Sequence, residues 1–386
     1  MIQIEVISKL DKLIELRDEW NNLHAESNIE HPFLTFEWIS CLCQSFYKNA
    51  ELFILTAREG GQMVGIAPLM KTKIKHRGVW FKAITFIDSE NNTNRAGFIL
   101  GENKKEVLAA MMKYLRKSDF YDDAYLFRYI TKDSEDEKLF SEVLNENQKD
   151  HIIIPCLISP FIKTEQGWES YFKERSKKFR DHFKNVNNRF MRETNYEVIK
   201  YTNQDIDKAM GELLSVSKMT WQYENGVAIA SKEENIDFFS SFAKAAAERG
   251  WLNLWVLRKN NKPIAFMYAL NYKGNMFAIK IGFDKEYSKD SPGDFLSGVV
   301  VKSCFEQGIA EFEWLGGTNP YKLKWTSLCK THLRYMVFGN TFSGKLLCFV
   351  ELHIIPMLRK IKAVLQPKSK YESGMNGFIA QMSDKG

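Results

Sequence analysis

The residues best suited to chemistry lie in the second half of the chain, where carboxylates stand beside predicted strands. Glu313 alternates with Phe312 and Trp314 along one such strand. If its side chain points into a cleft, burial beside aromatic rings raises its pKa toward the range of a general base; if it faces solvent, it is a surface glutamate. Asp284, at the end of another predicted strand, is the rival base, or it caps the turn that follows.

A second group of candidate residues follows the Glu313 strand. Gly316-Gly317 predicts a tight backbone turn, which either admits a ligand or only reverses the chain. The stretch Tyr321-Lys322-Leu323-Lys324-Trp325 comes next. Tyrosine and tryptophan are common core residues and lysines usually cover solvated faces, so these residue types alone decide nothing.

Other kinds of site find no support in the sequence. There is no GxxxxGK[ST], GxGxxG, HExxH or GxSxG string. The seven histidines are isolated, and the six cysteines lack CxxC or Cys/His spacing. We therefore expect reduced thiols and no bound metal.

Composition predicts a folded protein of two to three domains. The chain has 386 residues, of which 13% are aromatic, and its 54 Lys and Arg against 48 Asp and Glu leave a charge of +6. This mild excess permits an anionic substrate without requiring nucleic acid. The sequence shows no secretion signal and no apolar run long enough to span a bilayer, so we expect a cytoplasmic protein, with peripheral contact to the inner face of the membrane as an option.

An internal repeat organises the chain. The hairpin signal FILTAREGGQMVGIAPL, which begins at Phe53, aligns with LWVLRKNNKPIAFMYAL, which begins at Leu254, and this alignment pairs Arg58 with Arg258. Two amphipathic helical stretches precede each hairpin, and a strand, a helix and a further strand follow it. The same order of elements at one offset predicts a duplicated α/β unit.

Four segments carry a resemblance to a known family. They are WNNLHAESNIEHPFLTFEWI, VGIAPL, KIGFDKEYSKDSPGDFL and FEWLGGTNPYKLKW. Over about residues 15 to 340 the chain resembles the CelD-like acyltransferases, a branch of the GNAT superfamily related to the Fem-type aminoacyl transferases. The resemblance implies an α/β fold of the α+β type, with two tandem GNAT-like domains, each a mixed sheet flanked by helices. The expected ranges are 1–160 for the first domain, 161–203 for a basic connecting helix, 204–341 for the catalytic domain, and 342–386 for a helical appendage with a disordered tail.

The resemblance also implies an activity and a donor site. The activity is transfer of an acyl group from acyl-CoA to an amine or hydroxyl of a small molecule or of a polysaccharide or cell-envelope precursor. The donor's pyrophosphate is expected at a helix start, where unpaired N–H groups favour anions. The matching residues are Ser291, as the helix cap, Pro292, Gly293 and Asp294. The usual Q/RxxGxG/A string is absent, proline removes one donor and Asp294 adds a negative charge, so a capped structural helix is the alternative.

The remaining expected roles also come from the resemblance. Tyr321 corresponds to the residue that protonates the leaving thiolate, and Lys322 to a lysine that holds a phosphate or stabilises an oxyanion. A carboxylate would act as general base, with Glu313 preferred. Trp38 would form a wall of the acceptor site or belong to the core. The substrate-binding set is completed by Asp284, Gly316, Gly317 and Trp325.

Two basic segments are each compatible with more than one binding partner. The stretch from Tyr171 to Arg192 contains eight basic and two acidic residues and is predicted to form an amphipathic helix. This helix is either a solvated segment packed by its phenylalanines, or a surface that attracts an anionic acceptor, or a binding site for tRNA. The tRNA reading belongs to a Fem-like alternative with an aminoacyl-tRNA donor. The stretch 345–370 docks on the domain or lies on an anionic membrane. A non-catalytic scaffold in polysaccharide synthesis is the alternative outside enzymes.

Overall fold

The computed structural model, which describes residues 1–89, 92–116, 122–147, 150–193 and 195–365, has two sheets. Both repeated halves contribute to a sheet of eleven strands, and the first half has a further sheet of four strands. The first half contains, in order, β1 (Gln3–Ile7), α1 (Leu10–Glu15), α2 (Arg17–Glu26), α3 (Phe36–Ser45), β2 (Glu51–Leu52), β3 (Ile54–Glu59), β4 (Gln62–Ala67), β5 (Leu69–His76), β6 (Val79–Phe86), β7 (Ile99–Leu100), α4 (Lys104–Leu115), β8 (Ala124–Thr131), α5 (Glu135–Glu146) and β9 (His151–Lys163).

The second half repeats this order after two helices. It contains α6 (Trp168–Glu174), α7 (Lys177–Arg192), β10 (Tyr196–Tyr201), α8 (Ile206–Ser217), α9 (Trp221–Glu224), α10 (Glu233–Glu248), β11 (Leu252–Lys259), β12 (Lys262–Tyr272), β13 (Asn275–Phe283), α11 (Pro292–Glu306), β14 (Glu311–Glu313), α12 (Pro320–Leu323), β15 (Cys329–Phe338), α13 (Phe342–Phe349) and α14 (Ile355–Leu365). The predicted α/β fold with duplicated, helix-flanked mixed sheets is confirmed. The predicted disordered tail lies outside the described residues from 366 onward.

The two hairpin arginines confirm the repeat in atomic detail. Each hairpin has a register shift beside its arginine, between Ala57 and Arg58 in one half and between Leu257 and Arg258 in the other. Each arginine also pairs with a glutamate on a helix of its own half, Glu19 on α2 or Glu212 on α8. The same bulge and the same ion pair therefore recur 200 residues apart in the chain.

The halves exchange their last strands. β9 ends the first half but pairs with β14 and β15 of the second, and β15 pairs in turn with β8 of the first. This produces an eleven-stranded sheet in the order β10-β11-β12-β13-β14-β9-β15-β8-β6-β5-β2. The predicted domain boundary at residue 160 falls within β9, so the sheet continues without a break across it.

The two halves are also joined by packed helices. Helix α3 lies against α10, where Trp38 meets the rings of Phe238 and Phe242 edge-on at 5.0 and 4.8 Å between centroids. Glu37, which is buried, accepts hydrogen bonds from Arg249. One apolar cluster includes residues from both halves, so the interface between them is a continuous core.

Helix α7 packs closely against α11. Its residues Phe179, Val186 and Phe190 are buried. At Gly298 on α11, an added Cβ would lie 2.1 Å from the Phe183 ring, so only glycine permits this approach. The basic connecting helix is thus fixed to the second half by its apolar face, while most of its lysines remain exposed.

Strand exchange predicts that neither half is complete alone. If the chain is divided between the exposed residues Glu165 and Gln166, we expect residues 1–165 and 166–386 to copurify as a one-to-one complex when coexpressed. Each fragment expressed alone should aggregate, because it lacks a strand and exposes unpaired sheet edges. Size-exclusion chromatography with light scattering measures both results. Two folded, monomeric fragments that do not associate would contradict the exchange.

Candidate functional site

A cleft opens where two parallel strands separate. β13 and β14 pair only through Asn275–Glu311, Met276–Phe312 and Phe277–Glu313. Beyond these pairs the chains diverge, and residues 278–281 and 314–317 form opposite walls of a cleft of about 490 Å³. The splay therefore opens a concave space between the two strands, which can admit a ligand.

The described lining of the cleft is cationic. Its described polar lining consists of Thr93, Asn94, Ser217, Thr220, Gln222, Lys280, Asn319, Tyr321 and Lys322. No aspartate, glutamate or histidine stands among the described lining residues. The cleft thus brings together four of the residues that the sequence analysis singles out, namely Gly316, Gly317, Tyr321 and Lys322. It also contains Lys280, which the sequence analysis does not name.

The equivalent opening in the first half is closed. β6 and β8 also pair in parallel through three positions, the last being Thr85–Leu126. The next residues, Phe86 and Phe127, pack within an aromatic cluster, with their ring centroids 5.1 Å apart. Beyond them Asp88 and Arg128 form an ion pair. In the second half Ala278 follows the last pair of β13, so the space remains open there.

Two lysines with lowered pKa values lie in the cleft. Lys322 is buried, and its Nζ donates to the carbonyl oxygens of Leu315 and Gly316 at 3.0 and 2.5 Å. Desolvation, together with the positive charge of Lys280, lowers the pKa of Lys322 to about 8. Desolvation also lowers the pKa of Lys280 to about 8. Buried amines near neutrality are typical of functional sites.

Lys280 is the residue that sequence reasoning missed. It lies within the apolar strand sequence MFAIKIGF, and its ammonium stands 5.8 Å from the centroid of the Phe239 ring. A lone lysine inside a strand predicted to be buried was the available signal, because such a group is rarely placed there without a partner or a function.

The backbone turn of the cleft is fixed by both halves. Leu315 has a positive φ of 55°, which is unusual for a branched residue. The Gly316 N–H donates to Oδ1 of Asn94 at 2.7 Å, and the Gly317 N–H donates to the Ile158 carbonyl at 2.9 Å. Lys322 holds the carbonyl groups of the same turn. Because Asn94 and Ile158 belong to the first half, that half contributes directly to the geometry of the cleft.

Tyr321 is the second residue of the short helix beside this turn. Its ring is partly exposed and meets Trp314 edge-on at 6.2 Å between centroids. Desolvation raises the pKa of Tyr321 to about 12. Its hydroxyl therefore keeps its proton at neutral pH and can donate a hydrogen bond or a proton.

The expected raised pKa of Glu313 is wrong. Glu313 is buried at the closed end of the splay, where its Oε1 lies 2.7 Å from the guanidinium of Arg95 and 2.8 Å from Nζ of Lys330. Burial alone would raise its pKa, but these two cations outweigh desolvation and lower it. The carboxylate does not line the cleft and is held in a structural ion pair.

Asp284 and the start of α11 also lie outside the cleft lining. Asp284 is buried, and its Oδ1 accepts from the Glu286 N–H at 3.0 Å, so it caps the turn. Ser291 makes no side-chain cap bond, contrary to expectation, and its carbonyl accepts from the N–H groups of Asp294 and Phe295. Asp294 pairs with Lys324 and His182 at 2.6 and 2.8 Å. Pro292 has no N–H, and the N–H groups of Asp294 and Phe295 already donate to Ser291, so few backbone N–H groups at this helix start can bind a phosphate.

The two tryptophans of the predicted site belong to the core. Trp38 is fully buried between the halves and does not form a wall of the cleft. Trp325 is also buried, with its ring 4.9 Å from that of Phe179 and 5.8 Å from that of Trp314. Among the described residues, no group of His, Cys, Asp or Glu is arranged to hold a metal ion.

The Glu313 ion pair yields a test by denaturation. Glu313→Gln should lower the free energy of unfolding by about 3–5 kcal/mol, because Arg95 is left buried without its counter-charge. Since the folded state lowers the Glu313 pKa, this stabilisation is present above the ordinary carboxyl pKa and is lost as pH falls through the folded value. Urea titrations at neutral and acidic pH measure both effects. Glu311→Gln, in the more exposed neighbour, is the control; equal costs for the two variants would contradict the assignment.

Comparisons with known proteins agree with this geometry. Residues 177–323 match the family model described as acetyltransferase (GNAT) domain. The crystal structure of FemX aligns with a TM-score of 0.58 at 10% identity, covering 90% of this chain and 100% of that one. The C-terminal domain of a lysylphosphatidylglycerol synthetase, described as putative, from Agrobacterium fabrum aligns with a TM-score of 0.53 at 13% identity, covering 87% and 95%.

A third structure, L-PGS from Bacillus licheniformis, aligns with a TM-score of 0.52 at 13% identity, covering 88% of this chain and 96% of that one. At these identities the likeness concerns the fold. A search of curated protein sequences finds no match. Residues 177–323 are therefore similar to the acetyltransferase (GNAT) domain, and the fold of the chain is similar to those of FemX, the synthetase domain and L-PGS.

Proposed function

We propose that this protein transfers an acyl group from acyl-CoA to an amine or hydroxyl of a cell-envelope or saccharide precursor, in the cleft between β13 and β14. The observation that carries the proposal is the pair Lys280 and Lys322 beside Tyr321 in an open strand splay. This cleft lies within the segment that matches the GNAT domain. The CelD-like branch, suggested by the YKLKW and SPG segments, is part of the same proposal.

The lysines divide the chemistry between them. Acyl transfer passes through a tetrahedral intermediate with a negative oxygen, which a nearby ammonium stabilises. Two ammonium groups in one desolvated cleft repel each other, so the pair gives up one proton near pH 8 and keeps one. The neutral amine then accepts the proton of the acceptor nucleophile, and the remaining ammonium stabilises the oxyanion. This removes the need for the carboxylate base expected from the sequence.

The Nζ of Lys322 donates to two backbone carbonyls, and these contacts favour the ammonium form. We assign the role of general base to Lys280, which lies on the opposite wall of the cleft. Tyr321, which keeps its proton, donates to the leaving thiolate as the bond to the donor breaks. An open cleft with these groups is what catalysis requires, whereas a scaffold would have no use for two desolvated lysines.

The lysine assignment predicts a bell-shaped pH dependence of kcat whose acidic limb has its midpoint near pH 8 and whose maximum lies above that pH. On the acidic side both lysines are protonated and no base is present; on the alkaline side the stabilising charge is lost. Lys280→Met should reduce kcat by about 10²–10⁴-fold, as removal of a general base does. Lys302→Met, on the exposed face of α11, is the matched control. Unchanged kcat and pH profile in Lys280→Met would contradict the assignment.

The donor class is tested directly. The protein is incubated with a panel of acyl-CoAs and amine or hydroxyl acceptors, and CoA release and thermal shift are measured. We expect at least one donor to raise the unfolding temperature and to release CoA when an acceptor is present, because donor binding stabilises the folded state. No shift and no release with any donor would contradict the acyl-CoA proposal.

A second candidate donor is aminoacyl-tRNA, which the exposed lysines of α7 favour. Lys177, Lys178 and Lys184 are exposed on this helix, which packs against α11. Arg180 is different, since it donates to the carbonyls of Lys173 and Arg175 and so holds the end of α6. A row of exposed cations on a rigid support suits a polyanion.

Charge reversal separates the two donors. Lys177→Glu, Lys178→Glu and Lys184→Glu together should abolish tRNA retention on a filter if tRNA is the donor, and should leave acyl-CoA-dependent CoA release unchanged if it is not. The matched control reverses three exposed lysines of the first half, Lys9, Lys12 and Lys48. Equal loss of tRNA binding in both triple variants would indicate non-specific attraction and contradict the role of α7.

A further inference from the structure

A continuous apolar stripe is exposed along the C-terminal helices. From α13 through a π-helical turn to α14, the outward residues are Phe342, Leu346, Phe349, Met357, Leu358 and Ile361. Phe342 is 85% exposed. The opposite side of the same segment is buried, through Gly344, Leu347 and Glu351. Residues 342–351 therefore dock on the domain by one face, and the apolar stripe, which continues along α14, is not covered by the described residues.

The turn of the β5–β6 hairpin lies beside this segment. Buried Glu351 lies 2.8 Å from Nε2 of His76 and 2.5 Å from Nε of Arg77, which fixes the hairpin turn beside the π-helical turn. Val79 and Trp80 at this turn are exposed, Trp80 by 63%. We refer to Val79, Trp80 and the six residues of the stripe as the C-terminal apolar surface.

Basic side chains are exposed on the same elements. The exposed cations of the hairpin and helices are Lys73, Lys75, Arg77, Lys82, Lys345, Arg359 and Lys360. Within residues 69–86 and 342–361 the only acidic residue is Glu351, which is buried and paired with Arg77. An apolar face with a tryptophan at its edge and a cationic border is the composition of a segment that lies in the headgroup layer of a bilayer.

We propose that the C-terminal apolar surface binds the face of an anionic phospholipid bilayer. The apolar side chains enter the boundary between headgroups and acyl chains, and the lysines and arginines contact the lipid phosphates. No helix in the described ranges is long and apolar enough to cross a membrane, so the contact is with one leaflet. Charge complementarity selects the occupant, because a second copy of this surface would bring the same cations together.

The experiment is cosedimentation with vesicles of phosphatidylglycerol and phosphatidylcholine, compared with vesicles of phosphatidylcholine alone. We expect the full chain to bind the anionic vesicles, to bind the neutral ones far more weakly, and to be released by salt. Lys345→Glu, Arg359→Glu and Lys360→Glu together should weaken binding at least about 100-fold, since each basic residue near an anionic surface contributes about fivefold. Trp80→Ser, Phe342→Ser and Phe349→Ser together should also abolish binding.

Controls keep the outcome unambiguous. Ile14→Ser, Met191→Ser and Leu328→Ser replace three exposed apolar residues elsewhere and should bind as the wild type does. All changed side chains are exposed, so unfolding temperatures should remain close to the wild-type value. Vesicle binding that is absent in the wild type, or equal in the surface and control variants, overturns the proposal. So does a lipid-free dimer that the Trp80, Phe342 and Phe349 substitutions dissociate, because the surface would then join two copies.

Discussion

The placement of β9 between β14 and β15 is the constraint on which the rest of the structure depends. β14 has only three residues, and it is held from one side by β13 and from the other by β9. The short pairing with β13 ends at Glu313, so the point at which the cleft opens is set where β9 and β14 meet. Beside it, Glu313 joins Arg95 of the first half to Lys330 of β15, and Ser159 on β9 contacts His332 at 3.0 Å. Buried polar contacts of this kind fix strand register, because a slip would leave them unpaired.

The repeat places a pair of parallel strands in each half, but a cleft is open only beside the pair in the second half. In the first half, bulky rings follow the last paired residues of β6 and β8, and an ion pair closes what remains. In the second half the equivalent wall begins with Ala278 and ends in Gly316 and Gly317, so space is left for a ligand. The first half is still required there, because Asn94 holds the turn of the cleft and Leu157 lines it. The cleft is therefore a property of the whole chain, although the GNAT match begins only at residue 177.

Local patterns predicted most of the fold and part of the cleft. The hairpins, their arginines and the strand–helix–strand order after them are periodic features that can be read within short windows. The residues of the 316–322 turn were found because glycine, tyrosine and lysine stand close in sequence. Glu313 was misjudged because its partner Arg95 lies 218 residues away in the chain. Likewise, the burial of Trp38 depends on α10, and the exchange of β9 and β15 leaves no local signal, since each strand would suit either half.

Strand exchange also has a consequence for the order in which the protein is made. β9 is complete at residue 163, but its second neighbour, β15, ends at residue 338. At about 5–20 residues per second, a ribosome needs roughly 9–35 s to synthesise the intervening segment. Until β14 is complete at residue 313, this thirteen-residue strand rich in isoleucine has neither of its sheet neighbours to pair with. The nascent first half must therefore be protected from pairing with other chains until the last strand emerges.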